Sequence, residues 1–232
     1  MSATNRGAKR AAQDLYQTPQ WCIDLLAERV AFDALPLASN LMIIDPGAAD
    51  GRIGETVLRA MVERHRTPRK LYAVERDPRW VAVAGEHMRA AGHEYVQKDF
   101  LEWLQHLRTK PQTPVLFVSN PPFSQAEQWV KFVRAWMLTN APSNACAVFL
   151  LRLNWLGSEK RASWVNDNPP RRITVLAPRP SFRKTKRVDP KTGKVKWSSN
   201  DACEYAWVWW DSSPVKCMTH FEVAVRAKER KA

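Results

Sequence analysis

Cysteine is scarce in this chain. Four residues among 232, at Cys22, Cys146, Cys203 and Cys217, stand at no metal-ligand spacing. That argues against a cysteine-based metal centre or a disulfide framework, and predicts reduced, mostly packed thiols in a cytosolic protein. Long apolar runs are missing too: the longest, from Cys146 to Leu151, falls far short of the roughly 20 residues that cross a bilayer, so no membrane partner is expected. Residues 1–10 are polar and no apolar segment follows them, so no secretory leader is expected. Acidic side chains are outnumbered, 23 against 36 Lys and Arg, for a formal charge of +13. An excess of that size predicts a polyanionic partner, most simply nucleic acid, bound in a salt-sensitive way. Neither repeats nor low-complexity tracts occur, and this length suits one domain with a substantial core.

What the chain does carry is organised around Asn120-Pro121-Pro122-Phe123. The apolar run Val115–Ser119 before it predicts a short buried strand. Two prolines fix their own φ angles and hold Asn120 extended, making a stiff corner at a strand's carboxyl end, where open α/β sheets bind ligands. The Asn120 side-chain oxygen and the Pro121 carbonyl are two acceptors on rigid backbone, with an aromatic face next to them. An exocyclic amine on a planar ring could give one hydrogen to each while the ring stacks on Phe123. Four residues alone would equally serve to end a strand and start a helix.

Around this corner the chain alternates strands and helices. A basic arm is expected over 1–13 and a single domain over 14–215, with a tail over 216–232. Tyr16-Gln17-Thr18-Pro19 opens a helix running to about Val30, with Thr18 as N-cap and Pro19 at its first position. Leu41–Asp45 predicts a buried strand that enters the small-residue turn Pro46–Gly51 and then a helix. That arrangement lets a ligand approach the backbone closely. A second strand ends on Glu75, 24 residues past Gly51, close to where nucleotide-binding α/β folds place an acid for ribose hydroxyls. A solvated charge paired with Arg76 or Arg79 is the other reading of Glu75. A third strand, Glu94–Gln97, leads to Asp99 and Phe100. Asp99 could accept from an adenine amine and Phe100 pack against its ring. Further strands are expected at 146–151, 173–176 and 204–210. The pattern predicts a Rossmann-like α/β fold: a mostly parallel seven-stranded sheet, closed by an antiparallel hairpin, with helices on both faces.

Between the last two expected strands, over 179–199, lies a run of nearly one sign: Arg179, Arg183, Lys184, Lys186 and Arg187, then Lys191, Lys194 and Lys196, opposed only by Asp189. Such a run is either a solvated loop or a phosphate-contacting one; its locality favours the latter.

Together these pieces resemble class I S-adenosylmethionine-dependent methyltransferases, above all the adenine-N6 DNA methyltransferases of phage and restriction–modification type. The resemblance covers about residues 14–210. It rests on Tyr16-Gln17-Thr18-Pro19, Asp45–Gly51, Glu75, Asp99-Phe100 and Asn120–Phe123, in the family's order, with Asn-Pro-Pro-Phe the most specific. It implies S-adenosylmethionine as cofactor, with S-adenosylhomocysteine as product and no metal. Tyr16, Thr18, Pro19, Asp45, Gly47, Ala49, Gly51, Glu75, Asp99 and Phe100 would form the cofactor site. Asn120, Pro121, Pro122 and Phe123 would hold a base flipped out of double-stranded DNA. Arg152, Asn154, Arg179, Phe182, Arg183, Lys184, Lys186 and Arg187 would contact that DNA. The setting it implies is the cytoplasm of a bacterium or phage-infected cell.

Ala49 departs from the family turn, which has glycine there. If that position needs a positive φ, alanine is strained. No large target-recognition domain follows the core, which implies low sequence selectivity. The same corner also resembles enzymes that methylate guanine N2 in ribosomal RNA or a glutamine amide in release factors. A non-catalytic nucleic-acid-binding protein on a methyltransferase scaffold is the alternative from another class.

Overall fold

The computed structural model describes residues 17–33, 41–64, 70–107, 113–141, 144–182, 185–188, 195–198, 203–212 and 219–226. The expected basic arm, Tyr16, Arg183 and Lys184 lie outside them.

The first helix, α1 (Gln20–Asp33), buries Ile23, Leu26, Ala27 and Val30, the one-sided spacing of an amphipathic helix. There follow β1 (Met42–Pro46), α2 (Arg52–Glu63), β2 (Lys70–Glu75), α3 (Pro78–Ala90), β3 (Glu94–Gln97) and α4 (Phe100–His106). Next come β4 (Val115–Ser119), α5 (Ala126–Asn140), β5 (Ala145–Arg152), α6 (Glu159–Asp167) and β6 (Arg172–Ala177). A 3-10 turn, Leu153–Trp155, separates β5 from α6. The chain then runs through β7 (Thr185–Val188), β8 (Val195–Ser198), β9 (Tyr205–Asp211) and β10 (His220–Val225).

Eight of these strands form one sheet in the order β10-β6-β9-β5-β4-β1-β2-β3. All pairs are parallel except those of β9, which runs antiparallel between β5 and β6. The chain reverses direction across the sheet between β1 and β4. That is where an α/β sheet opens a crevice at its carboxyl edge.

Alternate strand residues feed two cores. Ile43, Leu116, Val118, Val148, Leu150 and Trp207 pack with α1, α2 and α3 on one face. Ile44, Phe117, Phe149, Leu151, Val208 and Trp210 pack with α4 and α5 on the other. Strands buried on both faces read as continuous apolar runs, as these do. The doubly wound architecture expected from the sequence is therefore the one found.

Two expectations need correction. The sheet has eight strands rather than seven, because the segment expected to be a tail contributes β10, pairing in register with β6 from His220↔Arg172 to Val225↔Ala177. The basic segment expected as a loop contains an antiparallel ribbon, with β7 paired to β8 from Thr185↔Ser198 to Val188↔Val195. Its residues pair through the backbone although the run is nearly all of one charge. Among the described residues no helix is long and apolar enough to cross a membrane.

Candidate functional site

At the carboxyl edge of the sheet a cavity of about 380 Å³ opens between the ends of β1, β2 and β4, within the range of small-molecule sites. Gly47 and Ala49 line it from the turn after β1, Val74 and Glu75 from β2, Arg76, Asp77 and Pro78 from the loop into α3, and Lys98, Asp99 and Phe100 from beyond β3. Asn120, Pro122, Gln125 and Trp129 close it on the β4–α5 side, and Gln17 reaches it from before α1.

The turn after β1 is built by backbone. Gly47, Ala49 and Gly51 have φ of 60°, 47° and 79°, so the alanine does stand in the left-handed region that favours glycine. Both ends of its peptide are held. The Ala49 N–H donates to Glu75 Oε2 at 3.0 Å, and the Tyr95 hydroxyl donates to the Ala49 carbonyl. Burial, then the neighbouring Glu75 and Asp45 carboxylates, push the Tyr95 phenol well above its ordinary range, so it remains a donor. Glu75 Oε1 accepts the Asp77 N–H at 2.8 Å. Gly47 has little room for a side chain: a methyl there would meet Trp129 Cη2 at 2.9 Å.

Asp45 lies beneath the turn, outside the cavity lining, and is fully buried. Its Oδ2 accepts the Gly54 N–H at 2.9 Å, while Oδ1 has no hydrogen-bond partner among the described residues. Burial raises its pKa well above the ordinary carboxyl range. The Gly54 N–H opposes that, and Asp50 and Glu75 add to it. Asp99 is the N-cap of α4, Oδ1 accepting from Leu101 N at 2.9 Å and Glu102 N at 3.3 Å, and it still faces the cavity. Phe100 is buried against Trp129, centroids 4.9 Å apart.

The Asn-Pro-Pro-Phe corner joins this cavity to a second feature. Ser119 Oγ donates to the Pro46 carbonyl at 2.6 Å, tying the ends of β4 and β1. Asn120 Nδ2 donates to Thr18 Oγ1 at 3.1 Å. That contact ties the Asn120 amide to the segment before α1, and its Oδ1 is buried. Pro121 is buried, and the Pro122 carbonyl accepts the Gln125 N–H at 2.8 Å. Phe123 lies beside the cavity in a cluster with Phe182, Tyr205 and Arg152.

The residues expected at the cofactor site are thus divided. Gly47, Ala49, Glu75, Asp99 and Phe100 line the cavity, whereas Thr18, Pro19, Asp45 and Gly51 lie outside its lining. Sequence reasoning passed over Gln17, Val74, Arg76, Asp77, Pro78, Lys98, Gln125 and Trp129. Gln17, Val74, Arg76 and Lys98 adjoin a recognised motif residue, which is their only signal in the sequence; Asp77, Pro78, Gln125 and Trp129 carry none. Of the residues expected on DNA, Asn154 is exposed in the 3-10 turn and Arg179 pairs with Glu204. Lys186 and Arg187 lie on the β7 backbone. No group of three or more His, Cys, Asp or Glu able to hold a metal occurs among the described residues.

No protein-family model matches the chain, and no curated protein does. Solved structures do. A candidate class I S-adenosylmethionine-dependent methyltransferase from Listeria monocytogenes superposes with a TM-score of 0.60 at 13% identity, covering 97% of this chain and 69% of that one. The methyltransferase subunit of a type I restriction-modification system from Streptococcus thermophilus gives 0.56 at 12% identity, over 84% of this chain and 44% of that one. The 23S rRNA methyltransferase ErmE gives 0.51 at 14% identity, over 88% and 73%. At such identities the likeness is one of fold, and the fold of this chain is the Rossmann-like fold of class I S-adenosylmethionine-dependent methyltransferases.

Proposed function

We propose that the chain is an S-adenosylmethionine-dependent methyltransferase acting on the N6 amine of adenine in DNA. The observation that carries this reading is the position of Asn120. It forms part of the cavity wall, while Phe123, three residues on, packs in the aromatic cluster next to it. A methyl donor in the cavity and a planar ring near Phe123 would meet at Asn120.

S-adenosylmethionine supplies a methyl group on a positively charged sulfur, and the cavity's chemistry suits it. Val74, Pro78, Phe100 and Trp129 offer an apolar wall for a purine. Glu75 keeps lone pairs for ribose hydroxyls beyond the two backbone bonds it accepts. The left-handed turn from Gly47 to Gly51 leaves backbone open to close approach.

Asn120 Oδ1 and the Pro121 carbonyl would accept the two hydrogens of the target amine, holding its nitrogen toward the cavity. Phe123 would stack the ring. The chain's contribution is positioning, and the proton that the amine sheds on methylation would pass to solvent. The basic segment over 179–199 would contact DNA, and a two-stranded ribbon such as β7–β8 is of a size that a major groove about 12 Å wide admits.

The test is transfer from labelled S-adenosylmethionine to duplex DNA, RNA and protein, followed by digestion of the DNA to nucleosides and mass spectrometry. N6-methyladenine in DNA is expected. N2-methylguanine in RNA, or methylglutamine in protein, would replace the reading with one of its alternatives. Absence of S-adenosylmethionine binding by calorimetry would favour a non-catalytic scaffold.

A further inference from the structure

Arg152 is the last residue of β5, in register with Tyr205, the first residue of β9. Its guanidinium carbon lies 4.5 Å from the centroid of the Phe123 ring, and its Nε donates to the Tyr205 hydroxyl at 3.2 Å. The Tyr205 ring stands 5.8 Å from Phe123, and Phe182 meets Phe123 edge-on at 6.1 Å and 83°. Phe182 and Tyr205 are themselves 4.8 Å apart. A ring stacked on Phe123 would sit with its centroid roughly 4.5–7 Å away. The guanidinium, a flat cation that stacks on aromatic faces as a ring does, already holds that layer.

Something in this cluster must leave before a base can stack on Phe123. Tyr205 is fully buried and fixed within the sheet. Phe182 packs against Tyr205 and the core. Arg152 is half-buried, long and unbranched, at the terminus of its strand.

Resting on the methyl-transfer reading above, we infer that Arg152 holds the place of the target base: its guanidinium covers the Phe123 face in the nucleic-acid-free protein and is displaced when a planar base enters. Phe123, Tyr205 and Phe182 are then the walls of a subsite for a flat aromatic ring, and Arg152 sets the threshold for entering it. A cation–π contact suits that task because base stacking on an aromatic ring is comparable in strength and can replace it. Once displaced, the same cation is offered to the phosphates of the strand that delivers the base. Keeping the subsite closed lowers the apparent affinity for bases by the fraction of molecules that are open.

The experiment measures binding of 2′-deoxyadenosine, which has no phosphate, and of duplex DNA to the full chain in the presence of S-adenosylhomocysteine. Arg152→Ala should bind the nucleoside about 3- to 30-fold more tightly than the parent, the range set by a lost cation–π contact. The same variant should bind duplex DNA more weakly, since a cation is lost. A purely structural role would not move the two affinities in opposite directions. Arg152→Met, which keeps a side chain of similar reach without the charge, serves if alanine unsettles the fold; a smaller gain for the nucleoside and a loss for DNA are expected. If the parent methylates DNA but neither variant gains nucleoside affinity, the place-holding role of Arg152 is overturned and the functional reading stands. A parent that methylates no nucleic acid overturns both.

Discussion

The Glu75 carboxylate holds the Ala49 backbone N–H at 3.0 Å, so the acid at the end of β2 is the brace of the turn after β1. Its other oxygen holds Asp77 N–H at 2.8 Å. Glu75→Ala removes both acceptors in a buried place and should destabilise the protein by about 2–4 kcal/mol, with loss of cofactor binding. Ala49→Gly relieves the left-handed strain while keeping the brace. It should stabilise the fold by ~0.5–1 kcal/mol and leave cofactor affinity equal or tighter. Denaturant unfolding and calorimetry check both, and an Ala49→Gly variant less stable than the parent would mean that φ 47° carries no strain here.

Asn120→Ala should lower turnover about 10²- to 10³-fold, as removal of a positioned acceptor at the reacting centre does, with cofactor affinity nearly unchanged. Thr18→Val removes the oxygen that Asn120 Nδ2 reaches at 3.1 Å. It should lower kcat by a smaller factor, about tenfold, because the Asn120 side chain then loses a contact that holds it in place. Steady-state kinetics with a methylation assay separates the two, and full activity in Asn120→Ala would sink the mechanism.

Gly47 faces Trp129 at a distance no ordinary side chain tolerates, 2.9 Å for a methyl, and its φ is +60°. Gly47→Ala should therefore distort the cavity and weaken S-adenosylmethionine binding by at least about tenfold, a shift of ~1.4 kcal/mol. Adding Trp129→Phe frees space and should restore part of that loss. Calorimetry on the single and double variants reads it directly; no recovery in the double would locate the damage in the backbone strain alone.

Asp45 links stability to pH. Its buried carboxyl titrates well above the ordinary range in the folded protein. A folded pKa above the unfolded one gives a contribution that is full below the unfolded value and is lost as pH rises through the folded value. Asp45→Asn has no such titration and can still accept the Gly54 N–H. Its stability relative to the parent should rise with pH from about 4 upward, by at most about 1.4 kcal/mol per pH unit. Urea unfolding of both proteins across that window gives the slope; parallel curves would contradict the raised pKa.

Alanine at Arg183, Lys184, Lys186 and Arg187 should weaken DNA binding across sequences without touching cofactor affinity. The salt dependence should flatten by roughly 0.9 in log–log slope per lost phosphate contact. Equal slopes for parent and variant would move the DNA track to another face.

Much of the architecture was legible because it is written in short-range patterns. The strands at β1, β4, β5 and β9 are apolar runs buried on both faces, and the helices between them carry one-sided apolar spacing. The turn from Gly47 to Gly51 and the Asn120–Phe123 corner were readable because only certain residues tolerate those backbone angles. The elements passed over had weaker or competing signals. α4 announces itself by Asp99 as cap, but a carboxylate after a strand suits a ligand group equally well. β10 alternates in the sequence, yet it turns Phe221, Val223 and Val225 outward, 60%, 55% and 69% exposed, and so resembles no core strand.

Tertiary structure alone decided which polar groups meet. Asn120 and Thr18 are 102 residues apart, and Ala49 and Glu75 are 26 apart. Arg152 reaches the Phe123 face because β4 and β5 pair in parallel and end side by side, and β9, antiparallel to β5, brings Tyr205 to the same edge. A sequence states the chemistry each residue carries and the local backbone it tolerates. Long-range hydrogen bonds and stacking depend on how the sheet orders its strands, and no local pattern encodes that order.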